Sequence, residues 1–218
     1  MSLWDALFGR TRLKRPNMDD LFALATAAVT LEVEVRWQPA GRAGVCLKPV
    51  TSGDFAAAEA ELRELVQVAA RDSGTRVEVL TDAYRFRWLL LADPDFEDLV
   101  TLVHLIGREL EAHGYGAQLL SAVFRFQELA LADGAVAGSR WEQPPAGPGS
   151  HGEQPPSGPG RACYLIYNYK RGNFYPFCPT GKQRRDHAAE TRAAALMEQE
   201  LPMEKDLTRW FPIWDCPV

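Results

Sequence analysis

The 218-residue chain lacks a long hydrophobic run, a recognisable catalytic set and an excess of positive charge. A bilayer-spanning helix needs about 20 predominantly apolar residues, and the longest apolar stretches, near Leu89 and Leu119, are shorter and interrupted. The opening apolar run is broken by Asp5 and ends at Gly9, so no secretory signal peptide is predicted. We therefore expect a soluble, cytoplasmic protein.

Cysteine and histidine are both scarce, and neither is arranged as a metal site. The four cysteines have no C-x-x-C spacing and no histidine placed as a matching ligand, so we expect reduced thiols and no cofactor. Cys163 and Cys178 are expected on opposite strands of one hairpin, where they could face each other. The net charge of −5 argues against broad binding to nucleic acid, which needs a basic face.

Phosphate-loop chemistry is also absent. Thr180, Gly181 and Lys182 resemble the end of such a loop, but the first glycine is missing and Gln183 stands where a hydroxyl would bind magnesium. A non-enzymatic protein is therefore expected. An unrecognised hydrolase stays open as an alternative, and it requires a deep pocket with at least two converging polar or titratable groups.

Residues 1–16 form an amphipathic, basic segment. An apolar face followed by arginines is typical of helices that lie on membrane surfaces. Helices shorter than about 12 residues are marginal alone in water, so docking on the protein's own core is the alternative. The candidate contact residues are Leu3, Trp4, Leu7, Phe8, Arg10 and Arg12.

Hydrophobic periodicity predicts an α+β fold, an antiparallel sheet flanked by helices, for a single domain over 17–218. A helix is expected from Asn17 to near Ala28. The alternation in VTLEVEVRW then predicts a half-buried strand, and Pro39 with Gly41 predicts a turn into a partner strand, AGVCLKPV.

Further elements follow in the order helix, two strands, helix, strand. The helices are expected over 54–71 and 93–114, and the strands over 75–82, 84–93 and 118–129. Residues 138–160 contain two near-copies, EQPPAGPG and EQPPSGPG, and this composition predicts a disordered insert. The strands on either side of it are expected to pair.

The last third predicts an aromatic hairpin and a final helix. ACYLIYNYK and NFYPFC are joined at KRGN, and Pro176 favours an edge position for the second strand. A helix from Asp186 to about Leu201 follows. Leu207, Trp210, Phe211 and Trp214 are spaced for one more helical turn, which breaks at Pro212.

This region supplies the candidate partner-binding residues. Its basic groups suit an acidic segment or anionic lipid headgroups, and a solvated turn is the alternative. Its rings are typical of interface hot spots, and they are also typical of side chains that fill a domain's own core. The residues are Lys170, Arg171, Lys182, Arg184, Arg185, Trp210, Phe211 and Trp214.

Five segments together carry a family resemblance. RPNMDDLFALATAAVTLE, VCLKPV, YRFRWLLLADPDFEDLVT, NFYPFCPTGKQRRDHAAE and ELPMEKDLTRWFPIWD resemble, in this order, the actinobacterial PspAB family of PspA-associated proteins. Asp215, Cys216 and the long insert depart from the family pattern. The resemblance implies a non-enzymatic accessory protein or adaptor of a phage-shock, envelope-stress system. It also implies PspA or an HtpX-like membrane protease as partner, and a fold similar to type III secretion chaperones. A homodimer and a peripheral membrane contact stay open.

Overall fold

A computed structural model describes residues 16–49, 60, 63–64, 66–68, 70–71, 73–129 and 160–218. Residues 1–15 of the predicted amphipathic segment lie outside the described ranges. Residues 138–159 of the predicted insert lie outside them as well. The helix predicted over 54–71 is helical at its described positions, which start at residue 60, and Gly74 ends it with a φ of 79°.

Besides the helical positions between residues 60 and 73, three α-helices and eight strands have both ends defined within the described ranges. They are α1 (Ala23–Val35), β1 (Trp37–Leu47), β2 (Arg76–Thr81), β3 (Arg87–Ala92), α2 (Phe96–Ala112), β4 (Leu119–Glu128), β5 (Ala162–Asn168), β6 (Asn173–Phe177), β7 (Pro179–Gly181), β8 (Arg184–Arg185) and α3 (His187–Met197). Short 3-10 turns cover Met18–Leu21, Gly116–Gln118 and Leu207–Arg209.

Six strands form one antiparallel sheet in the order β2-β3-β1-β4-β5-β6, and this confirms the predicted α+β fold. β4 and β5 pair directly, from Ser121 opposite Asn168 to Gln127 opposite Ala162. The strands on either side of the predicted insert therefore belong to one sheet, as expected. β7 and β8 form a separate small hairpin.

The helices pack on one face of the sheet and form the main core. Because side chains alternate along a strand, Ala43, Val45 and Phe124 point to this face, and all three are buried. The ring of Phe96, at the start of α2, lies 5.8 Å from the ring of Phe124 and 5.5 Å from that of Phe126. These edge-on contacts hold α2 against β4.

The prediction of a strand over VTLEVEVRW was wrong, because α1 runs through this segment to Val35. Its buried residues recur at helical spacing: Leu24, Ala27, Ala28, Leu31 and Val35. A strand would have buried Val33 beside Leu31, but Val33 is 71% exposed. Arg36 ends the helix in a left-handed conformation, with a φ of 62°.

The predicted turn at Pro39 and Gly41 was also wrong. β1 is one strand from Trp37 to Leu47, and its register with β4 shifts between Pro39 and Arg42. Pro39 is paired opposite Phe126, and the shift falls at Ala40 and Gly41, which form a bulge in the strand. Gly41 has a φ of 65°, and a Cβ there would lie 2.9 Å from the carbonyl oxygen of Asp93.

β6 lies at the edge of the sheet, as Pro176 predicted. Residues 202–204 lie beside it in parallel: Phe174 N–H donates to the carbonyl of Pro202, and Glu204 N–H donates to the carbonyl of Phe174. α3 begins after Asp186, whose carboxylate accepts a hydrogen bond from Ala189 N–H. It ends at Met197, earlier than predicted.

The β7–β8 hairpin has a strained two-residue turn. Lys182 and Gln183 have φ values of 47° and 55°, the left-handed pair that asparagine and glycine adopt most easily. We expect Gln183→Gly to raise the free energy of unfolding by about 1 kcal/mol, because glycine pays no Cβ penalty there. Urea unfolding measures the difference. The control is Gly181→Ala, at a φ of 86°, which should lower it. If the two variants had the same free energy of unfolding, the result would contradict this turn geometry.

Candidate functional site

The face of the sheet opposite the helices is crossed by the tail, residues 207–218. The carbonyl oxygen of Phe211 accepts a hydrogen bond from the Tyr175 hydroxyl of β6, and Trp214 packs edge-on against the Phe177 ring at 5.2 Å. Farther along, Val218 reaches β1, where a Cβ on Gly44 would lie 2.6 Å from its Cγ2. Glycine at position 44 therefore leaves room for the tail.

A cavity of about 550 Å³ lies between the tail, the β2–β3 turn and this face of the sheet. Tyr84 and Phe211 are the most exposed of its aromatic residues, at 75% and 56%, and they mark its mouth. Ring-bearing side chains dominate its wall: Tyr84, Phe86, Trp88, Tyr175, Phe211 and Trp214. Its polar lining residues are Cys46, Asp82, Ser121, Asn168 and Lys170.

Four of the lining residues form one row across the floor. Trp88 of β3 lies opposite Cys46 of β1, Cys46 lies opposite Ser121 of β4, and Ser121 lies opposite Asn168 of β5. Opposing residues in a sheet point to the same face, so these side chains line the cavity together. The row changes from an apolar ring at one end to polar donors at the other, and Lys170 lies two residues after Asn168 in the β5–β6 turn.

Asp82, near the apolar end, accepts three hydrogen bonds from its neighbours. Its Oδ1 accepts hydrogen bonds from the backbone N–H groups of Tyr84 and Phe86, both at 2.9 Å. Its Oδ2 accepts one from the indole N–H of Trp88 at 3.0 Å. These donors offset the negative charge and fix both the β2–β3 turn and the orientation of the Trp88 ring.

The cavity floor holds a thiol and a hydroxyl, Cys46 and Ser121, and their neighbours across the strands do not activate either as a nucleophile. Burial, with a smaller contribution from the nearby Asp82 charge, raises the pKa of the Cys46 thiol to about 12, so the thiol stays protonated near neutral pH. Ser121 is flanked by Cys46 and Asn168, and neither is a base that could activate its hydroxyl.

The predicted basic residues are separated by the fold. Lys170 is exposed at the cavity, whereas Lys182 and Arg184 are exposed on the β7–β8 hairpin. Arg171 lies 3.9 Å from the carboxylate of Glu204. Arg185 is largely buried, and its Nε donates to both carboxylate oxygens of the fully buried Glu190, at 2.9 and 2.8 Å.

The predicted aromatic residues of the tail also differ from one another. Trp210 is buried, with its indole N–H donating to the carbonyl of Glu204 at 2.9 Å, so it belongs to the core. Phe211 is exposed and Trp214 is half-buried, and both line the cavity. Leu207, 61% exposed, lies in the 3-10 turn outside the cavity lining.

Several residues that line the cavity were not predicted as binding residues from the sequence. The strand predicted over 84–93 starts only at Arg87, so Tyr84 and Phe86 belong to the β2–β3 turn, and nothing in the sequence showed that this turn meets the tail. Cys46 and Ser121 carried no signal of their own, because only the strand register brings them together. The segment with Leu3, Trp4, Leu7, Phe8, Arg10 and Arg12 lies outside the described residues.

The described cysteines are all free, and none belongs to a metal site. Cys163 and Cys178 are buried side by side, and burial together with the adjacent Cys163 thiol raises the pKa of Cys178. Among the described residues, no group of histidine, cysteine, aspartate or glutamate side chains is arranged to hold a metal ion. None of the helices in the described ranges has the length and apolar character to cross a membrane.

The fold and the site define an α+β protein with helices on one face of an antiparallel sheet and an aromatic cavity on the other. The chain belongs to the family described as PspA associated protein B, whose pattern matches residues 1–218. This confirms the predicted family. Comparison with curated proteins and with solved structures gave no significant match.

Proposed function

We propose that this chain is a cytoplasmic, non-enzymatic accessory protein of a PspA-type envelope-stress response, and that it binds PspA at the mouth of the aromatic cavity. The family description supports association with PspA. One observation supports this binding surface: Tyr84, Phe211 and Lys170 come from three separate segments and meet at one opening.

The physical argument rests on the exposure of two large rings. Tyr84 and Phe211 leave most of their surface in water beside an apolar cavity, and burying such rings dominates the energetics of many protein interfaces. Lys170 adds a cation at the same edge, which favours a partner surface that carries acidic side chains next to apolar ones.

Capture of purified PspA by the purified full chain tests this role. We expect Phe211→Ala and Tyr84→Ala each to weaken PspA binding by about 30-fold, because truncating a hot-spot residue costs about 2 kcal/mol or more. Leu207→Ala is the matched control, since Leu207 is an exposed apolar residue of the tail outside the cavity lining. Unchanged binding in the Phe211 and Tyr84 variants, or no binding by the wild-type chain, would refute the proposal.

Three further possibilities stay predictions. They are an HtpX-like protease as partner, a homodimer, and membrane contact through residues 1–15. The membrane alternative predicts liposome flotation that is lost when residues 1–15 are removed. It concerns a different part of the chain, so its outcome leaves the test at the cavity mouth unaffected.

A further inference from the structure

The interior of the cavity has its own chemistry, which goes beyond the proposed protein-binding role of its mouth. An apolar cavity of about 150 Å³ holds one benzene molecule, and ligand sites range over about 300–1,000 Å³. At about 550 Å³, this cavity exceeds what a single inserted side chain would fill and matches a small-molecule site.

The polar end of the floor offers hydrogen-bond donors. Lys170 N–H donates to Oδ1 of Asn168 at 3.0 Å, and no hydrogen bond from the Asn168 amide nitrogen is found among the described residues, which leaves it as a donor. No hydrogen bond from the Ser121 hydroxyl is found within the described ranges, although this residue is only 8% exposed. The Lys170 ammonium, on the next turn of the chain, is exposed at the same end.

The opposite end is apolar and disfavors an anion. Trp88 and Phe86 line it, and Asp82 lies beside them with both carboxylate oxygens already accepting hydrogen bonds. A second negative charge there would be repelled by the Asp82 carboxylate, which already accepts the hydrogen bonds of the nearby backbone N–H groups and of the Trp88 indole. The cavity is therefore polarised along the row from Trp88 to Asn168, which covers three strand spacings, roughly 14 Å.

We propose that this cavity binds a small carboxylate with an unbranched apolar chain of medium length. The carboxylate accepts hydrogen bonds from Asn168 and Ser121 and pairs with the Lys170 ammonium. The chain lies along the floor toward Trp88, covered by Trp214 of the tail. Complementary charge sets this direction, and the rings supply the apolar contact.

Calorimetric titration of the full chain with decanoate, below its micelle concentration, tests this site, with 1-decanol as the uncharged probe of equal chain length. We expect saturable binding of one decanoate per chain, with decanol binding about tenfold more weakly, because only the charged carboxylate pairs with the Lys170 ammonium. Lys170→Met should remove this difference by weakening decanoate alone.

Lys205→Met is the matched control, because Lys205 is exposed outside the cavity lining and should leave both affinities unchanged. Ser121→Phe, which fills the floor, should abolish binding of both probes. Since Lys170 is exposed, its variant keeps the test independent of any folding defect at position 121. Absence of saturable decanoate binding, equal affinity for both probes in the wild-type chain, or an unchanged decanoate affinity in Lys170→Met would each overturn the proposal. None of these results depends on PspA.

Discussion

Glu190→Ala is expected to lower the free energy of unfolding by about 3–5 kcal/mol, because it leaves a buried cation without its partner. Glu190 is fully buried and accepts hydrogen bonds from Arg185 and from the backbone N–H of Cys178, the latter at 2.8 Å. Its removal leaves three donor contacts unmade in a region with little access to water. Urea unfolding followed by circular dichroism measures the loss.

The effect should extend from α3 to the tail. Arg185 Nη1 donates to the carbonyl of Trp210 at 2.8 Å, and its guanidinium lies 5.5 Å from the centre of the Phe177 ring. One arginine therefore joins the β7–β8 hairpin, α3, β6 and the tail. Once Glu190 no longer orients this side chain, we expect the tail to lose part of its attachment to the sheet.

Two further variants separate the ion pair from simple loss of a side chain. Arg184→Ala, at the exposed neighbouring position, should change stability by less than about 0.5 kcal/mol. The double variant Arg185→Met with Glu190→Met should recover much of the lost stability, because replacing both members of a buried pair by apolar residues is often neutral. A Glu190→Ala protein as stable as the wild type would show that the pair contributes nothing.

The sequence predicted the sheet but misplaced its beginning, and the reason is physical. In the segment from Leu31 to Val35, apolar residues at every second position satisfy a strand pattern, while Leu24, Ala27, Leu31 and Val35 satisfy a helical one. The segment is helical in the structure, which buries Leu24, Ala27, Leu31 and Val35 in the core and leaves Val33 in water. Periodicity within five residues could not show which neighbours were available.

The cavity depends on contacts that no local pattern encodes. Its floor joins residues 46, 88, 121 and 168, which come from four strands and meet only through the register of the whole sheet. Lys170, Phe211 and Trp214 were predicted as binding residues from their chemistry, and the fold places all three at one cavity. Trp210 had the same chemistry, and the fold places it in the core instead.

Trp210 and Phe211 are adjacent, and they should respond to substitution in opposite ways. Trp210→Ala is expected to lower the free energy of unfolding by about 3–5 kcal/mol, the usual cost of truncating a buried tryptophan. Trp210 is 6% exposed, its indole N–H bonds to the Glu204 carbonyl, and its own carbonyl accepts from Arg185. Phe211→Ala should change stability by about 0.5 kcal/mol or less, because its ring is largely in water.

Urea unfolding and PspA capture, measured on both variants, distinguish a structural role from a binding role. We expect the amount of PspA captured by Trp210→Ala to fall only in proportion to the unfolded fraction of this variant. At a temperature where the variant is folded, it should therefore capture nearly as much PspA as the wild type. Phe211→Ala should stay folded and still lose binding. If Trp210→Ala kept its stability and lost PspA, then Trp210 would be a contact residue and its ring would have to leave the core when PspA binds.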